Sequence, residues 1–278
     1  MPELPEVQSV VDTLCMKKIP GRRITGASVY WGKTIADMEP VDFCKKIKGR
    51  TIRQIIRRGK YIVFDLSGGL TLMIHLRMTG RLNWEFRDRP RNKHEHVILN
   101  VGATDTLRFQ DTRKFGRIWL TGEPEKILDR LGPEPLEESF TIRRFLTMLH
   151  TTNRQIKPLL LDQRFLAGLG NIYVDEALWE SGLHPQRISS SLTRHEVKAL
   201  HRAIPHVLHK GLKNLGTSLG TGKSNFYLPG NRPGRNAEEL NVFRRTGLAC
   251  PRCRSIIARI VVAQRSSHIC PTCQKKQP

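Results

Sequence analysis

Four cysteines near the C-terminus constrain this chain more tightly than any other feature. Two residues separate Cys250 from Cys253 and two separate Cys270 from Cys273, and sixteen residues separate the pairs. Two thiolate pairs at this spacing can close a tetrahedral metal site at the base of two hairpins. Zinc is the metal expected there, with iron the runner-up. The other two cysteines, Cys15 and Cys44, stand alone, so the pattern reads as a metal site in a reducing compartment and not as a disulfide framework. Four protein ligands leave no open coordination position, so the expected role is structural. Between the pairs, residues 256–263 are β-prone, and Gln264-Arg265-Ser266-Ser267 is expected at a hairpin tip that holds Arg265 out toward a ligand. His268 is the only other donor nearby, and a stabilising surface role is expected for it.

Charge narrows the class of partner. The 278 residues carry a net charge of +22. An excess this large opposes compaction and suits a partner of polyanions, of which nucleic acid fits best. A membrane surface is the competing partner, but no long apolar run or basic amphipathic helix supports it. The N-terminus lacks a basic-then-apolar signal, so a cytoplasmic location is expected.

The length is enough for two cores. Val7, Val10, Val11 and Leu14 recur at helical spacing and predict an amphipathic helix ending before Pro20-Gly21. Residues 22–122 read as short antiparallel strands, at 22–30, 51–58, 61–66, 70–76, 94–101, 106–110 and 116–121, which predicts a β-sandwich. A dense basic stretch, Arg50, Arg53, Arg57, Arg58 and Lys60, is expected to contact phosphate. After Pro124 the pattern turns helical. Thr141 is an expected N-cap, residues 156–163 and 172–182 form helices around the turn bearing Gly168 and Gly170, and Thr193 with Glu196 forms a capping box for a long helix kinked at Pro205. Asn171 begins the second helix of that pair, where it serves either as a plain N-cap or as a phosphate ligand. The Gly/Pro/Asn-rich stretch 216–241 reads as a long surface loop. Its Gly-Thr-Gly-Lys-Ser is not a nucleotide-binding loop, because Thr217 stands where the first glycine of that pattern belongs.

The first six residues, MPELPE, hold a second chemical signal. Once Met1 is removed, Pro2 bears a secondary amine flanked by the carboxylates of Glu3 and Glu6. A terminal amine has a neutral fraction near pH 7 that can attack an electrophilic carbon. The resulting iminium is already cationic, and Glu3 is placed to act as general acid or base. An ordinary helix start, with Pro5 at the first helical position and Glu6 in the first turn, accounts for the same residues.

Taken together, MPELPEV, RRGKY around Lys60, HLRMTG (75–80), DTRKFGR (111–117), IKPLLLDQ, GLGNIYVDEAL and the terminal CPRC and CPTC occur in an order that resembles the bacterial formamidopyrimidine-DNA glycosylase/endonuclease VIII family. The resemblance spans nearly the whole chain. It implies an α+β architecture of three parts: a catalytic β-sandwich with an N-terminal helix over 1–122, a helical DNA-binding domain with a helix-two-turns-helix motif over 123–247, and a zinc-finger hairpin over 248–278. It implies a bifunctional DNA glycosylase and abasic-site lyase of base excision repair that acts on double-stranded DNA containing an oxidised base, as a monomer beside the bacterial nucleoid. Residue by residue it implies Pro2 as nucleophile, Glu3 as proton shuttle, Glu6 and Lys60 as catalytic support, and His75, Asn171 and Arg265 as phosphate clamps. Arg265 is also counted with the catalytic set. Met78, Arg113 and Phe115 match a triad that fills the void left by an everted base, and Lys157 matches a lysine near the helical motif that is counted with the DNA-binding set, a helix-surface lysine being the alternative. One structural zinc ion is implied at Cys250, Cys253, Cys270 and Cys273.

Two stretches depart from the family pattern. Residues 216–241 do not match its base-capping segment, and Thr79 stands where acidic residues follow the triad methionine. The triad favours oxidised purines, with ring-opened formamidopyrimidines expected ahead of 8-oxoguanine. The competing readings are an endonuclease VIII-like enzyme for oxidised pyrimidines and a non-catalytic protein that binds damaged DNA.

Overall fold

The computed structural model describes residues 1–220 and 226–276. The 221–225 part of the expected long loop, with most of its Gly-Thr-Gly-Lys-Ser stretch, lies outside the described residues. The chain folds as two units, Met1–Asp129 with Asn214–Arg235, and Arg130–Lys213 with Asn236–Pro278.

The first unit begins with α1 (Leu4–Met16), followed by β1 (Ile24–Val29), α2 (Pro40–Ile47) and seven strands: β2 (Ile52–Arg58), β3 (Tyr61–Leu66), β4 (Leu70–His75), β5 (Gly80–Phe86), β6 (Glu95–Val101), β7 (Asp105–Asp111) and β8 (Arg117–Thr121), before the short α3 (Glu125–Leu128). The strands make two four-stranded sheets, in the orders β1-β6-β7-β5 and β2-β3-β4-β8, with every pairing antiparallel. Ile62, Phe64 and Ile74 of one sheet and Val97, Leu99 and Leu107 of the other belong to a single buried cluster, so the sheets form the expected sandwich. Val7, Val10, Val11 and Leu14 of α1 join that cluster. The helix is therefore held by core packing, which removes the fraying usual at a terminus.

Two elements lie outside the predicted set. α2 is only eight residues long, and its buried face consists of Phe43 and Ile47, too few positions to establish a period. β5 alternates Leu82, Trp84 and Phe86 with Arg81, Asn83 and Glu85, which is a strand signal. The stretch 216–241 also differs from a simple surface loop. Phe226 and Leu228 insert into the sandwich core, and isolated bridges pair Thr217 with Arg235 and Leu228 with Arg232. Burying those two apolar side chains draws 214–235 out of the expected 123–247 domain and into the first unit.

The second unit contains α4 (Ile142–His150), α5 (Ile156–Leu161), α6 (Asn171–Glu180), α7 (Arg194–Lys213) and the hairpin β9 (Ala258–Val262) with β10 (Arg265–Ile269). Thr141 caps α4 by accepting from Arg144 N–H at 3.2 Å. Thr193 and Glu196 make the predicted reciprocal box, with N–H to side-chain distances of 2.8 and 3.3 Å. α7 continues through Pro205 as one twenty-residue helix. Trp179, Val242, Cys250, Ile257 and Cys270 share one apolar cluster, so the cysteine hairpin packs onto the helices and does not form a separate core.

Candidate active site

The N-terminus of α1 is built by its own first turn. Pro2, Glu3 and Glu6 are buried, Glu3 at 2 % and Glu6 at 1 % exposure. Glu3 is the N-cap, with Leu4 and Pro5 opening the helix, and Glu3 and Glu6 form a capping box. Pro5 thus sits one position deeper than expected. Glu3 N–H donates to Glu6 Oε2 at 2.7 Å, and Thr217 N–H donates to Glu6 Oε1 at 2.8 Å. Glu6 therefore brackets the N-terminal backbone against residue 217. Gly216, at φ +83°, makes that approach possible, because a Cβ there would lie 2.9 Å from Glu6 Cγ. Met1 precedes Pro2 in the described chain, so the Pro2 nitrogen becomes a free amine only once Met1 is removed.

Lys60 follows from strand register. Arg58 pairs with Tyr61, which leaves Gly59-Lys60 as a two-residue turn, and Gly59 takes the positive φ, +55°, that such a turn requires. Lys60 is only 4 % exposed. The Arg57 guanidinium donates to Gln8 Oε1 at 3.0 Å and to Gly59 carbonyl at 3.1 Å, tying the turn that carries Lys60 to α1. Part of the basic stretch expected to face phosphate is thus engaged within the protein. Arg57 braces the hairpin, while Arg53 remains exposed.

His75 ends β4 and is 7 % exposed. Its Nδ1 accepts Arg77 N–H at 3.0 Å, and Tyr61 packs edge-on against its ring at 4.8 Å. Burial, reinforced by the positive charges of Arg77 and Lys60, lowers its pKa to about 3. A neutral imidazole whose Nδ1 accepts must carry its proton on Nε2. His75 is therefore a neutral hydrogen-bond donor and not a cation.

Met78 and Phe115 are 39 % and 48 % exposed. The Arg113 guanidinium lies over the Phe115 ring at 4.7 Å. The three triad residues occupy two loops, 76–79 between β4 and β5, and 112–116 between β7 and β8.

In the second unit, Gln163 stitches the turn before α6. Its Nε2 donates to the Leu161 and Leu169 carbonyls at 3.0 and 2.8 Å, and its Oε1 accepts Gly168 N–H at 3.0 Å. Asn171 is the first residue of α6, and Gly170 is the N-cap, so the plain N-cap reading of Asn171 is set aside. Its Nδ2 donates to the Ser266 carbonyl at 3.0 Å. Lys157 departs from expectation. It is fully buried, its Nζ 2.5 Å from Asp175 Oδ1 and 2.8 Å from the Ser266 carbonyl. A charge removed from water needs such a partner, and Lys157 is directed at the hairpin backbone and not at a DNA surface. His268 likewise is buried and not superficial. Its Nδ1 and backbone N–H both lie 2.9 Å from Asp175 Oδ2. The hairpin tip is shorter than expected. Ala263 and Gln264, at φ +44° and +62°, make the turn, and Arg265, Ser266 and Ser267 belong to β10. Arg265 stays exposed beside that tip. Lys157, Asp175, His268 and Asn171 together clamp the hairpin from which it projects.

The four cysteine sulfurs all lie within 4.8 Å of one another, with Cys253 and Cys270 Sγ at 3.3 Å. A tetrahedral zinc with metal–sulfur bonds of about 2.3 Å separates its ligands by about 3.8 Å, so the quartet fits the ion. The thiols are also electrostatically unequal. Hydrogen bonds from Ser255 hold Cys253 down to about 6, while burial and the neighbouring sulfurs push Cys273 up to about 12. Four sulfurs this close can ionise together only around a cation. The site takes one structural zinc ion, held by Cys250, Cys253, Cys270 and Cys273.

An antiparallel sandwich with a buried N-terminal turn and a helical unit with a four-thiolate hairpin define the class by its architecture. Comparison with known proteins specifies it. Residues 1–118 match the formamidopyrimidine-DNA glycosylase N-terminal domain, 131–222 the formamidopyrimidine-DNA glycosylase H2TH domain, and 247–276 the zinc finger found in FPG and IleRS. The chain is 46 % identical to the formamidopyrimidine-DNA glycosylase of Protochlamydia amoebophila over 99 % of this chain and 100 % of the relative. It is 46 % identical to that of Pelotomaculum thermopropionicum over 99 % of each. Among solved structures it resembles a Lactococcus lactis FPG mutant in complex with a Fapy-dG containing DNA, at TM-score 0.91, 38 % identity and 99 % and 100 % coverage. It also resembles the Lactococcus lactis Fpg complex with abasic-site DNA, at TM-score 0.90, 37 % identity and the same coverage. The chain belongs to the formamidopyrimidine-DNA glycosylase family.

Proposed function

We propose how this DNA glycosylase of base excision repair removes oxidised purines, formamidopyrimidines foremost, from duplex DNA. The lesion is everted, because its C1′ is shielded within the helix. Pro2, freed of Met1, attacks C1′ with its nitrogen lone pair. The bond from C1′ to the base breaks, and the base leaves with that electron pair and the proton released by the Pro2 nitrogen. Glu3 donates a proton to the sugar ring oxygen as the ring opens, leaving an iminium between Pro2 and C1′. The iminium acidifies C2′. Loss of the C2′ proton expels the 3′ phosphate, a second elimination expels the 5′ phosphate, and hydrolysis returns the Pro2 amine. Lys60, His75, Asn171 and Arg265 hold the phosphates around the lesion, and Glu6 positions the nucleophile. Met78, Arg113 and Phe115 occupy the vacated stack, which supports the purine branch over the endonuclease VIII-like one. The arrangement needs one chain per lesion, so the protein acts as a monomer on the bacterial chromosome in the cytoplasm.

The observation that carries this reading is the buried Pro2 in the turn bracketed by Glu3 and Glu6, with Lys60 braced to the same helix. Borohydride reduction during reaction with a formamidopyrimidine duplex tests it. The native protein is expected to yield a covalent DNA adduct, and a form with a retained N-terminal extension is expected to yield none. An equal adduct from the blocked protein would overturn the Pro2 assignment. Binding without nicking would leave only the non-catalytic alternative.

A further inference from the structure

The two loops that carry the intercalating side chains run side by side, for a topological reason. β4 and β8 are neighbours in one sheet, and β5 and β7 are neighbours in the other. The β4–β5 and β7–β8 loops therefore cross between sheets in parallel tracks. Their ladders end at His75 opposite Arg117 and at Gly80 opposite Asp111. Over the gap, side chains supply the connection. Asp111 is fully buried. Its Oδ2 accepts Gly116 N–H at 2.7 Å and its Oδ1 accepts Arg113 N–H at 3.1 Å, which folds the second loop around the carboxylate. The same Oδ1 accepts the hydroxyl of Thr79, from the first loop. The Thr79 oxygen in turn lies 3.3 Å from Arg113 N–H as its acceptor. Close packing supports the arrangement, since a Cβ on Gly116 would lie 2.3 Å from Phe109 Cζ and 3.2 Å from Asp111 Oδ2.

We propose that the Thr79–Asp111 contact is a positioning latch that joins the Met78 loop to the Arg113/Phe115 loop, so that void filling and reading of the opposite base occur as one event. The Asp111 bonds to Arg113 and Gly116 alone are an ordinary loop cap, as buried aspartates often provide. The contact from Thr79 is different, because it crosses from one loop to the other and sits one residue from Met78 and two residues along the carboxylate cap from Arg113. A buried, charge-assisted hydrogen bond of this kind is among the stronger couplings available between loops. Thr79 and Asp111 do not reach the everted nucleotide in this account. They act through Met78, Arg113 and Phe115.

The inference rests on the glycosylase reading, and its test separates the two. Thr79→Val removes the hydroxyl at nearly constant shape and leaves the Asp111 cap intact, while Thr79→Ser keeps the hydroxyl. Single-turnover excision is measured for a formamidopyrimidine or 8-oxoguanine placed opposite cytosine and opposite adenine. Cleavage of an abasic site in single-stranded DNA, which has no opposite base and no void, is measured alongside. For Thr79→Val the duplex rate is expected to fall roughly tenfold, the cost of one such hydrogen bond, and the cytosine-to-adenine ratio to move toward one. Single-strand cleavage is expected to stay at the wild-type rate, the thermal midpoint to fall by no more than a few degrees, and Thr79→Ser to restore the duplex rate and ratio. An unchanged duplex rate and ratio in Thr79→Val would overturn the latch, and so would an equal loss on duplex and single strand. A wild-type protein that excises neither lesion overturns the glycosylase reading, and the latch with it. Asp111→Ala removes the acceptor of both cap and latch; if it fails to fold, the two Thr79 variants decide the question.

Discussion

His75 illustrates how the fold changes what a residue can do. In a basic protein a histidine among arginines looks like one more phosphate cation. Burial and the charges of Arg77 and Lys60 instead lower its pKa to about 3. The linkage follows from that direction. Below the ordinary value of 6.5, the unfolded chain takes up a proton that the folded chain refuses. His75 therefore adds stability above pH 6.5 that is lost as pH falls toward 3, by up to about 1.4 kcal/mol per pH unit. Between pH 7 and pH 5 this amounts to about 2 kcal/mol. His75→Gln is expected to make the loss of stability over that interval smaller by about this amount, as measured by urea unfolding at both pH values. An identical pH dependence in variant and wild type would show that His75 titrates normally. Glu6 was also only partly legible. Its place in the first turn of a helix could be read from MPELPE, but the bond from Thr217, 211 residues away in sequence, could not.

At the scale of elements, the cysteine hairpin is the clearest case of a part whose order depends on something outside its own sequence. β9 and β10 contribute five residues each, and a two-stranded hairpin is marginal in water by itself. Its anchors are the zinc site at its base and the Lys157–Asp175–His268 network along its side. Removing zinc with a chelator is expected to unfold the hairpin and weaken duplex binding, since metal binding supplies folding free energy to such sites. Trp179, which packs in the same cluster as Cys250 and Cys270, offers a fluorescence signal for the loss, to be read with duplex affinity. A chelated protein that binds and cuts DNA like the native one would show that the metal is dispensable. The cysteine spacing alone announced this element. The network beside it did not, because Lys157 and Asp175 look like solvated helix charges until their neighbours are known. Asp111 is illegible in the sequence for a related reason. It stood in plain view in DTRKFGR, yet a single acid in a basic motif has no periodicity to mark it as a hub.

At the scale of the whole molecule, the net charge of +22 sets how binding responds to salt. Each phosphate neutralised by a cation contributes about −0.9 to the slope of log affinity against log salt. Neutral donors add hydrogen bonds without releasing counterions. Arg265→Ala is therefore expected to lower duplex affinity and make the slope shallower by about 0.9. His75→Gln is expected to lower affinity at every salt concentration and leave the slope unchanged. Binding measured across a salt series separates the two, and a slope change in His75→Gln would mean that His75 binds phosphate as a cation. No helix among the described residues is long and apolar enough to cross a membrane.

The division between what sequence and tertiary structure each decided follows the range of the interactions involved. Short-range patterns determined the α+β class, most of the strands, the helix caps at Thr141 and Thr193, the thiolate quartet and the chemistry latent in Pro2. Each depends on residues a few positions apart, so period, spacing and residue type suffice. Only the tertiary structure decided that Glu6 would bracket residue 217, that Lys157 would be spent inside the protein, that His75 would stay neutral, and that Thr79 would meet Asp111. Those outcomes depend on burial and on partners distant in the chain, and local sequence carries no record of either. The terminal cysteines show both sides. Their spacing predicted a metal, while the packing of their hairpin on the helices determined where Arg265 is held.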